Sequence, residues 1–252
     1  MIASGIWYLA FLLAVCGALA IVRPARRWGI RSRRRGFHAL VLSLFLLATL
    51  FVTAGWEHRV ADPVSQLDRV VPIYQFVEFH DTDVAATPAA TWRAIQEVTP
   101  REIRFYRVLT WMRRGGRTGP PSIMNPPPDV PLLKTALETS FRALGETPER
   151  EIVFGGFVVA PAGAGSRRWT TDLFAGLEEP GFAKVAMNFK VEPTEGGTRL
   201  STETRVYATD ASTRRLFAAY WRTIYPGSAI IRRSWLTAIT ARAEGAATTQ
   251  RR

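Results

Sequence analysis

Two charge-free apolar runs near the N-terminus, residues 2–22 and 37–56, constrain this chain more than any other feature. At about 1.5 Å per residue, each is long enough to cross a ~30 Å hydrocarbon layer. The short segment between them, residues 23–36, holds Arg23, Arg26, Arg27, Arg31, Arg33, Arg34 and Arg35 and no acid. Basic residues in short loops stay cytoplasmic. The expectation is a two-pass protein of the cell membrane, with the N-terminus and everything after Trp56 outside the cytoplasm. A cleaved signal peptide would carry its basic residues before the apolar core, and here they follow it. Trp7, Tyr8, Trp28 and Trp56 lie near the ends of the runs, where aromatic rings favour the interface. Ala10, Ala14 and Ala18 form a small-residue stripe at four-residue spacing, suited to close helix packing; ordinary alanine content is the other explanation. Membrane lipids are the partner these features name.

The formal charge of +12 raises nucleic acid as a partner. Removing the seven loop arginines leaves 26 basic against 21 acidic residues, an excess too modest for a nucleic-acid domain. Cys16 is the single cysteine, so an intrachain disulfide or cysteine-based zinc site is excluded. No motif names a cofactor or a protein partner.

The domain boundaries read as a transmembrane hairpin over 1–58, a polar linker over 59–72, a folded domain over 73–245 and a disordered tail over 246–252. Residues 73–81 read as a strand with neither face cleanly polar, which places it within a sheet. Thr87-Pro88 starts a short helix with Trp92, Ile95 and Val98 on one face. Residues 102–113 read as a second, with Ile103, Tyr106 and Leu109/Thr110 on one side. Six prolines exclude a regular ladder over 115–131, after which Asp129 is expected to cap a short helix. Strands follow over 141–147 and 151–159, with Gly155-Gly156 marking a bulge or a close approach. Residues 160–166 read as a turn, and 171–178 as a short capped helix.

The clearest hairpin is next. Val185, Met187, Phe189 and Val191 alternate with Lys184, Lys190 and Glu192, and after a turn at 193–197 Leu200, Thr202, Thr204 and Val206 alternate with Arg199, Glu203 and Arg205. One register puts Val191 opposite Leu200, Phe189 opposite Thr202, Met187 opposite Thr204 and Val185 opposite Val206. The charged set then faces solvent and the apolar set is covered. The cover is the stretch 210–244, one long amphipathic helix capped by Asp210 and bent near Pro226. Leu216, Tyr220, Ile224 and then Ile231, Trp235, Ile239 recur every four residues. Arg232, Arg233 and Arg242 read as its solvated face.

The order of strand, two short helices, antiparallel strands and long C-terminal helix resembles the START-like helix-grip superfamily of Bet v 1 allergens and polyketide cyclase-like proteins. The opening 74–81 with Thr87-Pro88-Ala89-Ala90-Thr91-Trp92, the hairpin 182–207 and the terminal helix carry the resemblance. It implies an α+β fold, an antiparallel sheet gripping the long helix, here preceded by two transmembrane helices. It also implies a pocket for a hydrophobic or lipid-like small molecule. Phe154, Met187, Phe189, Thr202 and Thr204 would line that pocket under Leu216, Tyr220 and Trp221. Two threonines on a covered face each need a hydrogen-bond partner. A cavity would use them as polar anchors; a neighbouring carbonyl would satisfy them in a packed core. Three roles stay open: ligand binding, a cyclase- or dehydratase-like reaction, and an interaction module with a filled cavity. Glu78 and His80 share one strand face and suit acid–base work, against the alternative of a hydrogen-bonded core histidine. His80 with Asp81 and Asp83 is a weak cation candidate.

Overall fold

The computed structural model describes residues 2–23, 32–53, 55–164 and 169–250. The chain forms two compact units, one of residues 1–55 with 214–226, the other of 56–213 with 227–252.

In the first unit, α1 (Ile2–Val22) and α2 (Arg33–Val52) are both long and apolar enough to cross a membrane. The arginine-rich residues 24–31 and Trp28 lie outside the described residues. The second helix starts earlier than its apolar run, where the Ser32 hydroxyl accepts the Arg35 amide at 3.3 Å. It ends at Val52, and Trp56 stands beyond it, 85% exposed. The close contact is not the expected alanine stripe. Ala10, Gly17 and Ala20 are buried and Ala18 is exposed. A Cβ on Gly17 would meet the Leu40 nitrogen at 2.8 Å, and one on Gly36 the Ala20 Cβ at 3.0 Å. Steps of seven residues stay on one face of a helix, whereas repeated steps of four drift round it at about 100° per residue.

In the second unit a five-stranded antiparallel sheet runs β3 (Phe76–Val84), β7 (Gly197–Ala208), β6 (Ala183–Thr194), β5 (Glu151–Val159), β4 (Arg142–Thr147). A two-stranded ladder of β1 (His58–Arg59) and β2 (Ile73–Tyr74) precedes it. The expected hairpin register holds, with Val185 opposite Val206, Met187 opposite Thr204 and Val191 opposite Leu200. The turn is tighter than expected: pairing continues to Thr194 opposite Gly197. Gly197 has φ +150, and a Cβ there would meet the Val84 carbonyl at 2.2 Å, so glycine is required. Gly155 is the close approach: a Cβ there would lie 2.3 Å from the Val185 carbonyl. The strand read as interior, β3, is an edge strand.

The helices α4 (Pro88–Glu97), α5 (Tyr106–Arg113) and α6 (Leu132–Thr139) follow β3, with α5 starting later than the expected 102–113. Thr87 caps α4 through the Ala90 amide at 3.3 Å, with Pro88 in the first turn. Asp129 does not cap α6; it pairs with Arg101 at 2.9 Å, and Pro131 occupies the N-cap. The long helix α8 (Ala211–Gln250) continues through Pro226 and past the start of the expected tail; residues 251–252 lie outside the described residues. Asp210 caps it, accepting the Ser212 and Thr213 amides at 2.9 and 3.0 Å.

The face expected to be wet is covered around Lys184 and Arg205. The stretch expected as a polar linker supplies α3 (Gln66–Val70), which buries Leu67, Val70 and Val71 with Leu144, Val153 and Ala186. Phe174 joins them from α7 (Thr171–Ala175). These two short helices cover the face that carries Lys184 and Arg205, both of them buried. The Lys184 ammonium donates to the last carbonyls of α7, Phe174 at 2.9 Å and Ala175 at 2.5 Å. Arg205 pairs with Asp68 at 2.8 Å and Glu203 at 2.6 Å and lies over the Tyr74 ring. The carboxylate of Glu151 accepts the Gln66 amide at 2.7 Å and Asn188 Nδ2 at 2.7 Å. A buried charge is tolerated only when paired or hydrogen-bonded, and each of these is.

Candidate functional site

The other face of the sheet looks towards residues 227–245 of α8, and its side chains form rows. Glu78 on β3 stands opposite Thr204 on β7, Thr204 opposite Met187 on β6, and Met187 opposite Phe154 on β5. In the next row His80 stands opposite Thr202, and Phe189 opposite Ile152. Strand alternation turns every one of these residues to the same side. The platform is therefore graded: acid and imidazole at the β3 edge, hydroxyls next, then thioether and aromatic rings.

Alternation on β3 is inverted in polarity. Glu78 and His80 are buried while Val77 and Phe79 are exposed. His80 Nε2 lies 2.9 Å from Glu78 Oε1, and Ser228 Oγ donates to Glu78 Oε2 at 2.8 Å. Arg233 Nε donates to His80 Nδ1 at 3.4 Å. With Nδ1 accepting, the ring hydrogen sits on Nε2 and is given to Glu78.

Above the middle of the platform sits Arg232, the residue most badly misplaced by the sequence reading. It is buried, not solvated. Its Nη1 donates to Thr202 Oγ1 at 3.2 Å, and its Nη2 to Thr204 Oγ1 at 2.9 Å and to the Met187 sulfur. The same spacing that predicted a helix puts Ser228, Arg232 and Trp235 on one face at i, i+4 and i+7. Burial pulls the Arg232 guanidinium down from its ordinary value, and the Glu78 charge and Tyr106 oppose that fall. Tyr106 is itself buried, donates to the Ile123 carbonyl, and is pushed well above the usual phenol range by burial.

The two threonines are both partnered. Thr202 donates to the Asn188 carbonyl at 2.7 Å and accepts from Arg232; Thr204 accepts from Arg232. The expected carbonyl thus serves one of them, and a buried cation serves both. Trp235 is different. Its ring meets Phe189 edge-on at 4.9 Å and lies under Arg232, yet its buried indole Nε1 has no hydrogen-bond partner.

Of the expected site residues, the fold brings together Phe154, Met187, Phe189, Thr202 and Thr204. Leu216, Tyr220 and Trp221 lie on the part of α8 before Pro226. Those three belong to the segment 214–226 that forms one unit with the apolar helices. There Arg222 donates to the Thr53 carbonyl at 3.3 Å, Tyr8 donates to the Thr223 carbonyl, and Phe217 packs on Tyr220 and Trp221. Asp81 turns away from His80 and pairs with Arg199. Among the described residues no three His, Cys, Asp or Glu side chains converge. Arg232 and Ser228 were missed because nothing in a helical repeat says which arginine faces inward. A separate cleft of about 200 Å³ lies between α4 and the end of α8, lined by Thr87, Arg93, Glu97 and Arg242.

No family model matches the sequence, and no curated protein is significantly similar to it. Among solved structures, the protein MLL2253 from Mesorhizobium loti matches at 11% identity with a TM-score of 0.32, covering 67% of this chain and 97% of that one.

Proposed function

We propose that this chain is a membrane-anchored START-like domain that holds a hydrophobic or lipid-like ligand between the graded platform and α8. The carrying observation is the unpartnered, buried Nε1 of Trp235 beside the buried Arg232, on a wall otherwise built from Phe154, Met187 and Phe189. A buried N–H costs about 1–3 kcal/mol when left unpaired. A ligand with a hydrogen-bond-accepting or anionic head beside an apolar tail would satisfy both groups, in a site of the mostly apolar kind with few polar anchors. The test is photocrosslinking of the full chain in detergent with a photoactivatable fatty acid. Labelled peptides are expected from 183–208 and 227–245, and Trp235→Phe should lose most of the label while staying folded. Label confined to 2–22 and 33–52 would overturn the reading and leave an interaction module with a filled interior.

The Glu78–His80 contact favours a second reading, in which the imidazole moves a proton on the bound molecule in a cyclase- or dehydratase-like step. Ser228 gives its hydrogen to Glu78, not to His80, so the arrangement does not activate a serine nucleophile. If the pair converts its ligand, the molecules recovered from wild type and from His80→Gln differ in mass.

The arginine-rich segment between the apolar helices supports an extracytoplasmic placement of the second unit. In a Cys16→Ala background, an impermeant thiol reagent on intact cells should label a cysteine at Thr194 and not one at Arg31. The reverse pattern would invert the orientation.

A further inference from the structure

The helix α5 shows a face that the candidate site does not use. Ile103, Tyr106 and Thr110 are buried, whereas Phe105, Val108, Trp111 and Met112 are 50–60% exposed. Val108, Trp111 and Met112 recur at i, i+3 and i+4 and so share one side of the helix, with Phe105 at its N-cap. Arginines frame that side: Arg104, Arg107 and Arg117 are all exposed, and no Asp or Glu occurs anywhere in 103–128. Scattered exposed apolar residues are ordinary; a contiguous apolar strip edged by one sign of charge marks an interaction surface.

The backbone adds an independent sign. Phe105 has φ +62, in the left-handed region that a bulky residue adopts at a cost of about 1–2 kcal/mol. The strain is not repaid by burial, because the ring is half exposed; the Arg104 guanidinium lies over it, 4.6 Å from its centroid. The helix then stops at Gly115 and Gly116, both at positive φ, whose amides bond the Met112 and Trp111 carbonyls. The turn holds Trp111 and Met112 at the end of an exposed strip.

We propose that this face of α5 lies on a bilayer surface rich in anionic lipid, with the aromatic and aliphatic side chains at the headgroup level and the arginines on the phosphates. The charge fits that occupant, since basic residues flanking an apolar strip draw a helix to anionic lipid. The chain also carries two helices apolar enough to keep a membrane within reach. This inference does not depend on the ligand proposed for the interior.

The experiment uses the full chain in nanodiscs, in a Cys16→Ala background, with an environment-sensitive fluorophore on Val108→Cys. A second variant, Met112→Cys, guards against a local effect of the label, and Glu195→Cys in the exposed hairpin turn is the control. In discs with about one third phosphatidylglycerol, the probes at 108 and 112 should shift to the blue. A headgroup-level spin-labelled lipid should quench them several-fold more than the probe at 195. Discs of phosphatidylcholine alone should show neither effect. Arg104→Gln, Arg107→Gln and Arg117→Gln should each lower the docked fraction relative to the undocked about fivefold, and raised salt should do the same. Water-like emission at 108 and 112 in both bilayers would overturn the proposal. So would blue emission that lipid does not quench and that disappears on dilution, which would assign the face to a second copy of the chain.

Discussion

The two faces of the sheet carry buried charges on very different terms. On the face covered by α3 and α7, Arg205 meets two carboxylates, Glu151 caps a helix, and Lys184 ends another. On the face towards α8, Arg232 meets two hydroxyls and a thioether, and Trp235 Nε1 meets nothing. Closed networks of the first kind rigidify a fold. An open one is tolerated where something else completes it. The comparison separates charge that holds the domain together from charge that can serve a ligand.

The largest loss of stability is expected on the closed face. Arg205→Met takes the cation from Asp68 and Glu203 and should destabilise the second unit by about 3–5 kcal/mol, as removal of one partner from a buried pair does. Chemical unfolding in detergent reads it, and the photolabel on the folded protein should be unaffected. A loss below about 1 kcal/mol would mean the pair is solvent-screened.

Phe189→Ala empties the apolar end of the platform and should cost a similar ~3–5 kcal/mol. Thr204→Val acts on the open side. It removes one acceptor from Arg232 and should cost about 1–3 kcal/mol, with a proportionally larger loss of ligand than of stability. Equal losses in the two readouts would make Arg232 simply another structural charge.

Lys184 is subtler. Burial lowers its ammonium to about 8, with Glu178 opposing. The folded state thus binds fewer protons than the unfolded state between about pH 8 and the ordinary lysine value. Stability should rise with pH across that window, because the desolvation penalty present at lower pH is relieved. The two carbonyls that accept from the ammonium limit the effect to about 1–2 kcal/mol, and Lys184→Met should flatten it. The smallest effect is expected at Lys190, half-buried and paired with Glu192 at 2.8 Å, where alanine should cost within about half a kcal/mol.

By itself the sequence determined the elements whose side chains repeat. Strict alternation in 183–208 admits one register, since a slip of one residue would turn Met187 and Phe189 outward. The helix of 210–244 and the two apolar runs are legible for the same reason. What repeats do not encode is what lies on the far side of an element. Lys184 and Arg205 sit where alternation puts solvent, and only the packing of α3 and α7 buries them. Those helices span five residues each, too short for a period to show. The same applies to α8: its pattern makes Arg232, Arg233 and Arg242 alike, and tertiary contact alone selects Arg232 to lie inside against Thr202 and Thr204. It also divides the helix at Pro226, assigning Leu216, Tyr220 and Trp221 to the unit of the apolar helices. A side chain's burial depends on partners distant in the chain, and a pattern local to one element carries no record of them.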